Sequence, residues 1–175
     1  MLFQGCSFYM CIPFFYRLED LVRINFYDTR ITEDARTILV KEKGINYEST
    51  KINGPKEISL MLKALLHMDE LAEEHVYMIA LNTSCKILGM FLISKGTICT
   101  SLVSPREVFL RAALIGAVQI VLVHNHPSGN PVPSECDMEL TKRLKAGGEL
   151  LNICLADHII IGRDSYLSFK EAKLL

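Results

Sequence analysis

Apolar residues along this chain recur with two periods, and each period predicts a different kind of element. Residues 21–27 and 37–40 are β-like runs separated by polar residues, the second closed by Gly44, and they predict a small β unit. Asn53-Gly54-Pro55 is a turn signal, after which Ile58, Leu62, Leu65 and Leu66 stand at helical spacing and predict a helix over residues 57–71. Residues 75–81 and 87–93 flank Asn82-Thr83-Ser84 and read as an antiparallel strand pair. Ser104-Pro105-Arg106-Glu107 has the form of a helix start running to about Ala117, with Ser as N-cap, Pro at the first helical position and Glu107 completing a capping box. The uninterrupted run Ile120-Val121-Leu122-Val123 suits a strand buried on both faces beneath helices. It delivers His124 at its end. A loop carrying Pro127, Gly129, Pro131 and Pro133 follows, then a helix from Ser134 with Leu140, Leu144 and Leu151 roughly in phase. Residues 153–161 and 166–169 read as closing strands, and the sequence has no internal repeat.

Composition narrows the frame. The chain of 175 residues, half of them hydrophobic, fits one globular domain with a short appendage. We divide it into an apolar tail (1–16, disordered or loosely docked), a small N-terminal β appendage (17–54) and a main domain (55–175). The tail has no basic segment before its apolar stretch and no small-residue cleavage pattern, so it is a poor signal peptide. Gln4, Gly5, Ser7 and Pro13 interrupt it, leaving it far short of the roughly 20 apolar residues of a membrane span. A net charge of −1 gives no general attraction to phosphate backbones or anionic lipid, so neither nucleic acid nor a membrane is indicated as partner. Lys142, Arg143 and Lys145 read as a solvated helix face. The six cysteines form no Cys-x-x-Cys pair, and free thiols in a reducing cytoplasm are the expectation.

The candidate chemistry lies in His124-Asn125-His126-Pro127 and Ser134-Glu135-Cys136-Asp137. Residues two apart on an extended strand end point the same way, so both histidines can aim at one point. The proline-stiffened loop can bring Asp137, in the first turn of the next helix, beside them. A His-His-Asp set of this kind leaves a fourth tetrahedral position open, as in catalytic rather than structural zinc sites. Zinc lowers the pKa of water towards about 7. Iron or manganese would accept similar ligands, and the sequence separates them from zinc only weakly; zinc is the expectation. Each part has a plainer reading as well, since Ser134-x-x-Asp137 also matches a helix cap and an isolated His-x-His is often a surface pair.

His-x-His, seven residues, Ser, two residues and Asp is the spacing of the JAMM motif of MPN-type metallopeptidases. The surrounding text resembles the RadC-like branch of that family. The likeness rests on His124-Asn125-His126-Pro127-Ser128-Gly129, Pro133-Ser134, Asp137, Thr141 and Asp157-His158-Ile159-Ile160-Ile161-Gly162. Ser94-Lys95-Gly96-Thr97 and Ser104-Pro105-Arg106-Glu107-Val108-Phe109 extend it, so that it covers roughly residues 55–175. The resemblance implies an α/β fold like that of cytidine deaminases, a mixed sheet packed between helices with the metal at a strand end. It also implies roles: His124, His126 and Asp137 bind zinc, and Ser134 hydrogen-bonds the developing oxyanion. An upstream glutamate moves the proton. That glutamate falls at Glu73-Glu74, where Glu74 fits best and Glu73 is the alternative. Asp157 and His158 are either a buried hydrogen-bonded pair or support for the metal ligands, while His67 and His75 read as structural or exposed.

The resulting expectation is a zinc-dependent amide hydrolase, a peptidase or isopeptidase acting on a peptide or protein substrate without a covalent intermediate. A metal-dependent nuclease or DNA-repair accessory protein and a non-catalytic MPN interaction module are the rival readings. A base deaminase is disfavoured, because its His-x-Glu and Pro-Cys-x-x-Cys elements are absent.

Overall fold

The computed structural model describes residues 21–48, 52, 54–96 and 103–175, so the expected tail lies outside the described residues. Its elements run β1 (Leu21–Ile31), β2 (Thr37–Glu48), α1 (Pro55–Leu66), β3 (His75–Leu81), β4 (Ile87–Lys95), α2 (Pro105–Leu114), β5 (Gln119–Asn125), α3 (Glu135–Leu151), β6 (Cys154–Ile161) and β7 (Tyr166–Ser168). The strands form one mixed sheet in the order β2-β1-β4-β3-β5-β6-β7. β3 pairs antiparallel with β4 and β5, whereas β5 runs parallel to β6.

Side-chain alternation along the central strands divides the core in two. Val76, Met78, Ala80, Ile120 and Leu122 pack on Val108 and Phe109 of α2 and on Leu140 and Leu144 of α3. Their alternate neighbours Tyr77, Ile79, Val121 and Val123 pack with Ile58, Met61 and Leu62 of α1. The sheet thus lies between helices, which is why β5 carries buried side chains on both faces. Continuing the even-numbered series along β5 brings His124 to the α3 side. On β6 the register slips, since Ile120 pairs with Leu155 but Val121 pairs with Asp157. The extra residue, Ala156, changes the parity of the strand. Leu155 packs on the α2/α3 side, and His158, three residues later, reaches the same side and touches Thr141 of α3.

Four elements differ from their sequence reading. β1 and β2 are longer than their apolar runs, and the ladder continues through Gly44, which pairs with Asn25. Main-chain pairing tolerates polar side chains where one face of an antiparallel pair meets water. α1 stops at Leu66 rather than near residue 71, because His67 turns left-handed (φ 50°) and its N–H returns to the Lys63 carbonyl. The capping box expected at α2 does not form: Ser104 makes no side-chain cap bond, and Glu107 instead takes the guanidinium groups of Arg106 and Arg111 at 2.6 and 3.0 Å. A carboxylate offered charged donors prefers them to a neutral backbone N–H.

The small N-terminal β element is the β1–β2 hairpin, which joins the sheet by parallel pairing of Phe26 with Met90. Ile24 and Phe26 are buried in the α1-side core. No described helix is long and apolar enough to cross a membrane. Truncation of Phe26 to Ala is expected to lower unfolding stability by about 3–5 kcal/mol. Ile31→Ala, at a residue 76% exposed, should change it by less than about 0.5 kcal/mol. Denaturant titration by circular dichroism measures both, and a Phe26→Ala protein that unfolds like the parent would show that the hairpin contributes nothing to the core.

Candidate metal centre

β5 ends by placing His124 inside the molecule, and the next residue but one, His126, stands just past the strand with its N–H on the Ile161 carbonyl. The chain then turns, Gly129 returning its N–H to His126 O from a left-handed conformation (φ 81°). Arg163 N–H donates to the Gly129 carbonyl, which ties the loop to the end of β6. Gly162 is the point of closest approach, where a Cβ would lie 2.4 Å from Gly129 O and 2.9 Å from Pro131 Cδ. Held this way, the loop feeds directly into α3, whose N-cap is Ser134.

The cap at α3 forms as a full capping box. Asp137 N–H donates to Ser134 Oγ at 3.2 Å, and Ser134 N–H and O–H both donate to Asp137 Oδ2 at 2.7 Å. The capping and ligand readings of Ser134-x-x-Asp137 are therefore compatible, because the cap occupies only one carboxylate oxygen. The other, Oδ1, is buried and has no hydrogen-bond partner among the described residues. It lies 3.3 Å from His124 Nε2. His126 Nε2 is 3.0 Å from His124 Nε2 and 3.4 Å from Asp137 Oδ2.

These separations suit a divalent ion. Metal–donor bonds of about 2.0–2.1 Å in tetrahedral geometry put donor atoms roughly 3.3 Å apart. Leaving a buried carboxylate oxygen unmatched costs free energy unless a cation or proton meets it. The second nitrogen of each ring is already engaged: His126 Nδ1–H donates to the Asn130 carbonyl at 2.8 Å, and His124 Nδ1 meets His158 Nε2 at 2.9 Å. Both Nε2 atoms are thereby turned to the centre, as ligand histidines require. Burial pushes the His124 ring well below its ordinary pKa, so it stays neutral. The Asp137 hydrogen bond pushes His126 up. Burial alone would raise the Asp137 carboxyl; contacts from His126, His124 and Ser134 outweigh it and hold the group well below the usual carboxylate range. His124, His126 and Asp137 are a His-His-Asp cluster compatible with a metal.

The remaining sequence candidates fall at different distances from this point. Val76 pairs with His124, and Glu74 lies just ahead of β3, on the side of the sheet where His126 follows β5. Its charge acts on His126, whereas that of Glu73 acts on His75. Glu73 is exposed and Glu74 half-buried. Asp157 is turned from the cluster: it accepts from Ser168 Oγ at 2.6 Å, Lys170 N–H at 3.0 Å and His158 N–H at 2.8 Å, fastening the chain after β7. His158 stands against His124. His67 is exposed in the α1 cap and His75 is half-buried.

Sequence reasoning assigned no task to Asn125 or Thr141, and both have one. Asn125, 1% exposed, accepts His75 N–H at 2.8 Å through Oδ1 and donates through Nδ2 to Glu73 O at 3.1 Å. That clamp fixes the backbone on either side of Glu74. The signal was available, because an asparagine that directly follows a buried run at a strand end must find partners.

A family model described as the RadC-like JAB domain matches residues 52–174. A UPF0758 protein of Desulfitobacterium hafniense is 42% identical over 125 residues, 71% of this chain and 54% of that one. A UPF0758 protein of Clostridium beijerinckii is 40% identical over 133 residues, 76% of this chain and 57% of that one. A third, from Caldanaerobacter subterraneus, is 41% identical over 139 residues, 79% of this chain and 58% of that one. The chain thus spans a little over half the length of these relatives.

Two variants test the geometry. Asp137→Asn keeps an oxygen for the cap but loses the charge, and should weaken Zn2+ binding, read by competition with a chromophoric chelator, by at least about 100-fold at nearly unchanged helix content. Equal affinity in parent and variant would remove Asp137 from the site. Gly162→Ala, by displacing the loop, is expected to cost more than about 2 kcal/mol of stability and to weaken Zn2+ binding together with it.

Proposed function

The chain belongs to the RadC-like JAB domain family, and on that premise we propose that it is a zinc-dependent amide hydrolase, cleaving peptide or isopeptide bonds with water and no covalent intermediate. The observation that carries the reading is the convergence of His124 Nε2, His126 Nε2 and Asp137 Oδ1, which has no hydrogen-bond partner among the described residues, with the charge of Glu74 acting on His126. His124, His126 and Asp137 are the residues that would hold the ion. Nitrogen and carboxylate donors of this mixture favour zinc over calcium or magnesium. When bound, such an ion supplies Lewis acidity, polarising a carbonyl and acidifying water.

The chain's own residues account for the rest. Glu74 is the general base: it takes a proton from the attacking water as the new C–O bond forms, then delivers that proton to the amide nitrogen as the C–N bond breaks. One water is consumed, and the products are an acid and an amine. The Asn125 clamp on Glu73 and His75 keeps the Glu74 main chain still during this transfer. Ser134, exposed at the head of α3, turns its O–H from Asp137 Oδ2 to the carbonyl oxygen as that oxygen gains charge. Asp137 keeps the Ser134 N–H on Oδ2 throughout, so the cap persists.

The test is a screen of peptides and isopeptide-linked pairs against Zn2+-loaded protein, with cleavage read by mass spectrometry. Glu74→Gln should retain the metal and lose about 10²- to 10⁴-fold in kcat. Glu73→Gln should leave kcat within about threefold, since that residue is exposed and its charge acts on His75. Cleavage that survives Glu74→Gln would refute the assignment of the base, and a fully loaded protein that cleaves no amide bond would refute the hydrolase.

A further inference from the structure

His124 is supported by an arrangement unlike that of His126, and its hydrogen-bond order can be worked out atom by atom. Thr141 Oγ1 lies 2.6 Å from the Asp137 carbonyl oxygen and 2.6 Å from His158 Nδ1. A carbonyl cannot donate, so the single hydroxyl proton of Thr141 goes to Asp137 O. Thr141 Oγ1 must then accept, and His158 carries its proton on Nδ1. The His158 ring is fully buried, where the cost of desolvating an imidazolium disfavours a charge. It is therefore neutral and its Nε2 is a bare acceptor. The contact of 2.9 Å between His158 Nε2 and His124 Nδ1 is consequently made by a proton on His124 Nδ1. His124 Nε2 is left with its lone pair directed at Asp137 Oδ1 and His126.

We infer that His158 and Thr141 are positioning residues that lock His124 in its Nδ1–H tautomer and hold its Nε2 lone pair on the metal position. This rests on the proposed metal site and adds to it the groups that set its tightest-held ligand. The series Asp137 O, Thr141, His158, His124 starts and ends on the same ligand set, because Asp137 supplies the terminal carbonyl and the facing carboxylate oxygen. It closes a ring through α3, β6 and β5. The bulge at Ala156 makes this possible by turning His158 to the α3 side. The ring plane of His158 is fixed by Phe169, stacked at 4.6 Å between centroids and 21° between planes.

The experiment is nitrogen NMR of the metal-free protein labelled at histidine, combined with Zn2+ affinity by chelator competition. In the parent, His124 should show a protonated Nδ1 and a bare Nε2, and His158 should show the same pattern. Thr141→Val, nearly isosteric, removes the acceptor for His158 Nδ1–H; the His124 signals should shift towards a mixture of tautomers, and Zn2+ affinity should fall about 10- to 100-fold. Thr141→Ser should restore affinity to within about threefold of the parent, which a purely steric role of the threonine methyl would not. A parent His124 protonated on Nε2 overturns the inference, as does parental affinity in a folded Thr141→Val. If Thr141→Val fails to fold, the parent's tautomers decide the question alone. The tautomer readout needs neither metal nor substrate, so a protein that cleaves no amide bond would leave this inference intact.

Discussion

Asp137 places one carboxylate oxygen in the capping box of α3, beside His126 Nε2, and leaves the other buried and facing His124 Nε2. A carboxylate so far from water is tolerable only where donors or positive charge surround it. That requirement organises the neighbourhood. α3 must begin at Ser134, because the cap sets where its first turn lies. The loop from β5 must be short and stiff enough to deliver that turn to the strand end, and its contacts with Gly162 and Arg163 hold it there.

The sheet provides the fixed frame for this arrangement. Alternation along β5 sends His124 towards α3 and Val123 towards α1, so the two cores grip the strand from opposite sides. β3, antiparallel to β5, begins beside the point where β5 ends, and Glu74, just ahead of it, acts on His126 through its charge. β6, parallel to β5, ends at the same edge and supplies both the His158 contact and the Gly162 approach. Three neighbouring strands therefore contribute at one end of the sheet, a placement typical of ligand sites in folds with parallel strands.

What the sequence disclosed follows from how local each feature is. His124, His126 and Asp137 lie within fourteen residues joined by a short loop, and their spacing nearly fixes their geometry. Glu74 is fifty residues from His124, and only strand register relates the two; the motif pointed to it where the periodicity could not. Asp157 and His158 could not be separated, because adjacent strand residues face opposite ways and the bulge at Ala156 leaves no trace in the apolar pattern. Thr141 was visible as a letter in a motif, yet its hydroxyl acquires meaning only once β6 is laid beside α3. At Ser104 the local signal misled, since Arg111, one helical turn beyond Glu107, offers the carboxylate a stronger partner than the backbone.

β2 forms one margin of the sheet, and twelve residues is long for such a position. A regular, flat margin of that length is a template on which a second chain can add a strand, the first step towards insoluble aggregate. Here the register jumps opposite Phe26 and Tyr27, leaving Glu42 out of the ladder between Lys41 and Lys43. All three of those charged residues are exposed. An incoming strand would meet an interrupted row of donors and acceptors and would have to strip water from three ionic groups. The hairpin's irregularity thus has a colloidal consequence: among the described residues it makes the long outer strand of the sheet a poor template for an added copy.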